Sequence, residues 1–239
     1  DLSRGLGDVY KRQGMNNLIR SSVLSGMVFL LGLNGSALAS GRITGAGATF
    51  PAQIYQRWFG MLAGNNGPMV NYQAIGSGSG RKAYLDQTVN FGASDDPMIS
   101  RDRRKVKRGV VQIPMIGGTI AYGYNKPGCE LKLTQDQAVK VAMSAVKDWS
   151  ELGCLPGPIT WVHRSDGSGT TKAFTSSMAA FSSSWTLGTG KAVNWPSGVG
   201  AKGNAGVAAV IKKREGAIGY LNQSYICLLY TSDAADEVV

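Results

Sequence analysis

The apolar positions of this chain alternate between two rhythms, a spacing of two and a spacing of three to four. Short apolar runs at 42–44, 69–75, near 90–93 and at 159–164 predict strands. Ile54, Tyr55, Trp58, Met61 and Leu62 mark one face of a predicted helix. Pro51 suits its first position, where a missing N–H costs nothing. Residues 133–149 (LTQDQAVKVAMSAVKDW) predict the cleanest helix. Thr134 and Gln137 form a capping box, and Ala138, Val141, Ala142, Ala145, Val146 and Trp149 share one stripe. Further helices are predicted at 171–181, with Phe174, Met178 and Phe181 on the apolar face, and from about Ala205. Residues 110–125 predict two strand pieces around Gly117-Gly118, and 217–220 a last strand. Strands that alternate with helices imply an α/β fold.

Between these elements one arrangement recurs: strand, then a Gly/Ser/Thr loop, then helix. It appears at 45–50, 76–80 and 165–171, and the segment 45–49 reads as a flexible turn. Helix N-termini at the carboxyl ends of strands favour anions, because their first N–H groups lack partners. The third loop adds Arg164 and lies within the stretch VHRSDGSGTTKAF. Glycine turns of any α/β domain would look the same, so an anion site and a set of polar turns both stay open at this point.

The two ends depart from domain sequence. Residues 1–14 precede Met15 and read as upstream read-through. Residues 15–39 carry Arg20, an apolar run at 23–33 and Ala37-Leu38-Ala39, the pattern of a cleaved signal peptide. The apolar run is short and broken by glycine, which argues against a membrane span. Residues 227–239, with CLLYTSDAADE, resemble a translated sequencing adapter. The expectation is a protein exported to the periplasm that begins near Ser40 and is cut at Ile226. Within those limits Cys129 and Cys154 form an even pair in an oxidising compartment, so a disulfide is expected, with two buried thiols as the alternative.

Charge narrows the partners. The whole chain carries a formal +10, and residues 40–226 hold 21 Lys and Arg against 10 Asp and Glu. A basic exported domain attracts anions. The densest run, RDRRKVKRG at 101–109, contains no aromatic residue, so no nucleic-acid partner is expected. With one histidine and no CxxC, no metal site and no cofactor are expected. No P-loop or G-x-S-x-G pattern occurs, GSGSG lacks the spacing of a dinucleotide fingerprint, and His163 beside Arg164 makes a poor triad base. No catalytic residue is assigned, and the protein is not expected to be an enzyme.

The segments GAGATFP, GSGSG, FGASDDP and RSDGSGTT, with WPSGVGAKGN and GAIGYLNQSY, resemble the periplasmic phosphate-binding proteins of phosphate ABC transporters, the PstS family, over residues 41–226. The short connection near Cys129 resembles the cyanobacterial or cyanophage type. The resemblance implies a type II periplasmic-binding-protein fold, a monomer with two α/β lobes around a cleft. Lobe 1 would cover 40–117, incomplete and missing its C-terminal return. Lobe 2 would cover 118–220, and 221–226 would begin the return. It implies high-affinity binding of inorganic phosphate in the periplasm and delivery to an ABC permease.

Carried over residue by residue, the phosphate ligands would be Thr49 and Phe50 from the first loop and Ser77 from the second. Asp95 would be the proton acceptor and Arg164 the cation. Ser168, Gly169 and Thr170 would stand at a helix start, with Asp166 supporting Arg164. The loop GSGSG departs from the family's GSSGG, so Ser79 receives no role. These residue types fit the task. A buried anion needs many donors, and an arginine fork grips two oxygens. A carboxylate rejects sulfate, which has no proton to give it. The alternatives are another tetrahedral oxyanion (arsenate, sulfate or molybdate), an exported hydrolase, or a polyanion-adhesion protein.

Overall fold

The computed structural model describes residues 42–226. The expected leader, signal peptide and C-terminal tail lie outside the described residues. Two sheets form in chain order. The first contains β1 (Ile43–Gly47), β2 (Val70–Ala74) and β3 (Phe91–Ala93), all parallel, in the order β2-β1-β3. Helices α1 (Ala52–Gly64) and α2 (Ser77–Leu85) make its crossovers, and the short α3 (Ser100–Arg103) follows. The second sheet contains β4 (Ile120–Asn125), β5 (Thr160–Arg164), β6 (Val199–Ala201) and β7 (Ala217–Asn222), in the order β4-β7-β5-β6. Only β4 runs antiparallel to its neighbour. Helices α4 (Gln135–Ala142), α5 (Gly169–Phe181) and α6 (Gly203–Lys213) pack around this sheet.

The second sheet is covered on both faces, and its strands show it. On β5, Trp161 faces one apolar cluster and Val162 the other; on β7, Ile218 and Tyr220 face the first, and Ala217 and Leu221 the second. That is the period-two alternation of a strand buried on both sides. One cluster joins α4 and α5 to the sheet through Val139, Phe174 and Met178, with Phe174 stacked 4.2 Å from Tyr220. The other is built by Val207 and Ile211 of α6. Each such side chain contributes about 1.5–3 kcal/mol on burial. Cys129 and Cys154 form the expected disulfide, joining the loop after β4 to the segment after a 3₁₀ turn at Trp149–Leu152.

Several expectations are corrected. The predicted turn at 45–49 is largely strand. Gly45 and Gly47 serve close approach rather than flexibility. A Cβ on Gly45 would meet the Phe91 ring at 2.1 Å, and one on Gly80 would meet the Gly47 Cα at 2.2 Å. The long helix of 133–149 stops at Ala142. Ser144 takes a positive φ of 55°, and Asp148 caps a separate 3₁₀ turn that drives Trp149 into the core. Its indole N–H donates to Gly216 O at 3.1 Å, so tertiary burial overrides the helical stripe. The capping box of Thr134 and Gln137 is present.

Of the two strand pieces expected at 110–125 only β4 forms. Residues 110–119 stay outside both sheets, with Pro114 unable to donate to a ladder. The expected apolar face of α1 is only partly buried. Tyr55 is covered, whereas Trp58, Met61 and Leu62 are exposed and meet no second layer among the described residues. Phe181 at the end of α5 is exposed as well.

Candidate anion site

Five strand ends meet between the two sheets. From the first sheet, β1 leads through Ala48 and Thr49 into α1, β2 through Gly76 into Ser77 of α2, and β3 into Asp95 and Asp96. From the second, β5 leads through Arg164 to Ser168 and α5, and β6 through Gly203 to Asn204 and α6. The parallel strands point their carboxyl ends at one another, so four helix N-termini share the space. This is the place where α/β sheets hold ligands.

The structure brings the expected residues together. Gly78 N–H donates to Gly167 O at 2.7 Å, which links the second loop to the third. Thr170 Oγ1 lies 3.1 Å from Asp95 Oδ2, and Asp95 N–H reaches Ser77 Oγ at 3.4 Å. A Cβ on Gly169 would stand 2.6 Å from Asp95 Cβ and 2.7 Å from Ser77 Oγ, so only glycine fits there. Thr49, Ser77, Arg164, Ser168, Gly169 and Thr170 are all buried. Asp95 is exposed as a residue, although protein crowds its carboxyl group. Phe50 is the outlier. Its ring packs on Gly118 and lines a cavity of about 610 Å³ with Ile54, Ile116 and Gln223. Only its main chain stands beside Thr49.

Arg164 organises the centre. Its side chain is 1% exposed. Nε donates to Asp166 Oδ1 at 2.7 Å and Nη2 to Asp166 Oδ2 at 2.5 Å, a two-pronged pair. Nη1 is buried and has no hydrogen-bond partner among the described residues. A guanidinium donor in that condition is costly unless something accepts from it. Asp166 also accepts from Gly203 N–H at 3.0 Å. Burial works to raise the Asp166 carboxyl, but the hydrogen bonds and charge of Arg164 outweigh it and hold the group below the usual range. Asp95 goes the other way. Burial pushes its carboxyl up, against the opposing pull of the Thr170 hydroxyl and of Arg164.

The Ser168 hydroxyl caps α5 by accepting from Thr171 N–H at 3.0 Å, which leaves its own proton free. Tyr220 OH accepts from Arg164 N–H at 3.2 Å and shares a proton with Thr171 Oγ1 at 2.6 Å. Burial pushes its phenol up to about 12, so it stays protonated.

Sequence reasoning missed a second ring of residues. Asn204 and Asn222, both buried, bond to each other and to Thr49 and Thr170. Tyr225 OH donates to Thr49 O at 2.6 Å. Lys191 Nζ reaches Asp96 at 2.9 Å from the opposite side of the cleft, and Arg81 holds the same carboxylate at 3.0 Å. A signal existed for Asn204. The segment GVGAKGN repeats the strand–glycine–helix arrangement a fourth time.

A family model described as a PBP superfamily domain matches residues 34–236. The chain belongs to the PBP superfamily. It is 41% identical over 198 residues to the phosphate-binding protein PstS of Pasteurella multocida, an overlap of 77% of this chain and 57% of that protein. The corresponding protein of Haemophilus influenzae is 40% identical over 198 residues, with 77% and 58% covered. The chain thus spans less than two thirds of the length of these curated relatives. A solved structure of the phosphate-binding protein from Stenotrophomonas maltophilia superposes with a TM-score of 0.65 at 23% identity, covering 76% of this chain and 60% of that one. The architecture is the type II periplasmic-binding-protein fold, as the sequence resemblance implied.

Proposed function

We propose that this PBP-superfamily chain binds inorganic phosphate between its two sheets and passes it to an ABC permease for import. The observation that carries the reading is the buried Arg164, with Nη1 lacking an acceptor among the described residues, set across the cleft from the Asp95 carboxylate. A hydrogen-bearing tetrahedral anion suits both. One oxygen accepts from Arg164, and the anion's own O–H donates to Asp95.

In this reading Thr49, Ser77 and Ser168 donate hydroxyl protons, and Thr170 turns its one proton from Asp95 and Asn222 toward the anion. Phe50 and Gly169 donate main-chain N–H groups at helix starts, and Asp166 keeps Arg164 charged and oriented. Neutral donors disperse the charge that a second arginine would over-neutralise. Residues 40–117 form the first lobe and 118–220 the second, with the return beginning at 221. Contacts from both lobes favour the closed form, and closure makes the surface that a permease reads. The protein works as a monomer in the periplasm after export, and no bond of the ligand is broken.

Arsenate carries protons as phosphate does, and Asp95 accepts one from either, so arsenate is the second ligand this geometry favours. Titration calorimetry with phosphate, arsenate and sulfate tests the reading. One-to-one uptake of phosphate with no heat from sulfate is expected. Equal binding of sulfate would contradict it.

A further inference from the structure

The hydrogen bonds around Thr49 leave its hydroxyl a single role. Asn222 N–H donates to Asn204 Oδ1 at 3.2 Å. A main-chain N–H can only donate, so the Asn204 amide is oriented with its oxygen on that side and its NH₂ on the other. The NH₂ group then uses both protons, one on Asn222 Oδ1 at 2.7 Å and one on Thr49 Oγ1 at 3.0 Å. Asn204 N–H donates to the same Thr49 oxygen at 3.2 Å. A threonine hydroxyl has two lone pairs and one proton. Both lone pairs of Thr49 are therefore engaged by Asn204, and its proton is left for a group outside this network.

We propose that Asn204 is a positioning residue that makes the Thr49 hydroxyl an obligate donor toward the anion. The proposal rests on the phosphate reading above. It explains why a wholly buried asparagine sits at the start of α6, where it contacts the first loop 155 residues earlier. It also explains Gly203, whose φ of 70° turns the chain so that Asn204 reaches Thr49. A hydroxyl free to rotate would offer the anion a lone pair part of the time, which repels it. One fixed as a donor costs no reorientation on binding.

The test exploits aspartate, which has the shape of asparagine. In Asn204→Asp the ionised carboxylate can only accept, so Thr49 turns its proton inward. Protonated, the same side chain can donate again. Phosphate titrations across pH should show Asn204→Asp weakened at high pH by roughly 10–100-fold, the worth of one hydrogen bond to a charged group. The deficit relative to the unsubstituted protein should shrink as pH falls. In Thr49→Val the hydroxyl is gone, and adding Asn204→Asp should then bring little pH-dependent loss. The same pH-dependent loss in the Thr49→Val background would mean simple charge repulsion and would overturn the proposal, as would unchanged affinity in Asn204→Asp.

Asn204→Ser, which removes the amide without adding charge, guards against a variant that fails to fold. It should lose affinity when Thr49 is intact and lose almost none when combined with Thr49→Val, while additive losses would count against the proposal. No phosphate uptake by the unsubstituted protein would overturn the phosphate reading and this inference together.

Discussion

Thr170 Oγ1 and Asp95 Oδ2 stand 3.1 Å apart although 75 residues separate them in the chain. One belongs to the second sheet's α5 and the other to the turn after β3 of the first sheet. The pair bridges the two sheets at the point where their strand ends converge. It also places a carboxylate beside the buried donors of the second sheet, where the proposed ligand's own proton would meet it. Replacing Asp95 with asparagine removes the charge and brings an NH₂ donor beside the anion. The expected result is a phosphate-over-sulfate preference reduced by about tenfold or more, since the carboxylate no longer meets an unprotonated oxygen. Competition binding with the two anions measures it, and unchanged selectivity would contradict it.

Gly169 tests the closeness of the two sheets. Its missing Cβ is all that separates α5 from Asp95 and Ser77. Gly169→Ala would force these apart by several tenths of an ångström or more. Phosphate affinity should fall steeply while the core of the second sheet, remote from this contact, keeps its near-UV circular dichroism. Normal phosphate binding by the Gly169→Ala variant would mean that the sheets do not close as described.

The two carboxylates of the site should titrate with opposite effects on stability. Asp166 has a folded-state pKa below its unfolded value. Its contribution is present above the unfolded value of about 3.9 and is lost as pH falls through the folded one. Asp95 has a folded-state pKa above the unfolded value, so ionising it at higher pH destabilises the unliganded fold. Melting curves should therefore show Asp95→Asn more stable than the parent at neutral pH, with the gap closing below about pH 4. Asp166→Asn should be less stable at neutral pH, by about 3 kcal/mol or more, because it leaves a buried Arg164 unpaired.

Lys191 and Asp96 form an ion pair at the lip of the cleft, and Arg81 shares the carboxylate. Burial works to raise Asp96, but Lys191 and Arg81 outweigh it and hold the carboxyl below its ordinary range, so it is charged at neutral pH. Both partners are partly solvated, so the pair is worth about 0.2–1 kcal/mol. Lys191→Met should speed phosphate release about 1.5- to 5-fold and reduce its dependence on salt. Stopped-flow release measured at low and high ionic strength would show this.

Much of the site was legible in the sequence because its parts are local. A strand, a glycine loop and a helix start fall within a dozen residues, so the stretch from Arg164 to Thr170 stood out, while the choice of ligand residues came from the family resemblance. Helix α4 declared its start through the Thr134 capping box, but its end depended on Trp149 finding Gly216, a contact no local pattern encodes. Gly45 and Gly47 read as flexible when they are strand residues pressed against Phe91 and Gly80. Asn222 was illegible for a similar reason, and the fourth strand–glycine–helix stretch marked the place of Asn204 without its role. An asparagine signals a turn in sequence, and its role here comes from partners in other elements. The exposed apolar stripe of α1 shows the limit of periodicity, which marks a face without saying what covers it.

The most direct measurement is a crystal structure of the protein with phosphate. One anion is expected, with an oxygen within hydrogen-bond distance of Arg164 Nη1 and its protonated oxygen against the Asp95 carboxylate, with Thr49 and Thr170 also in contact. An anion that touches Arg164 but not Asp95, or one seated away from both, would contradict it.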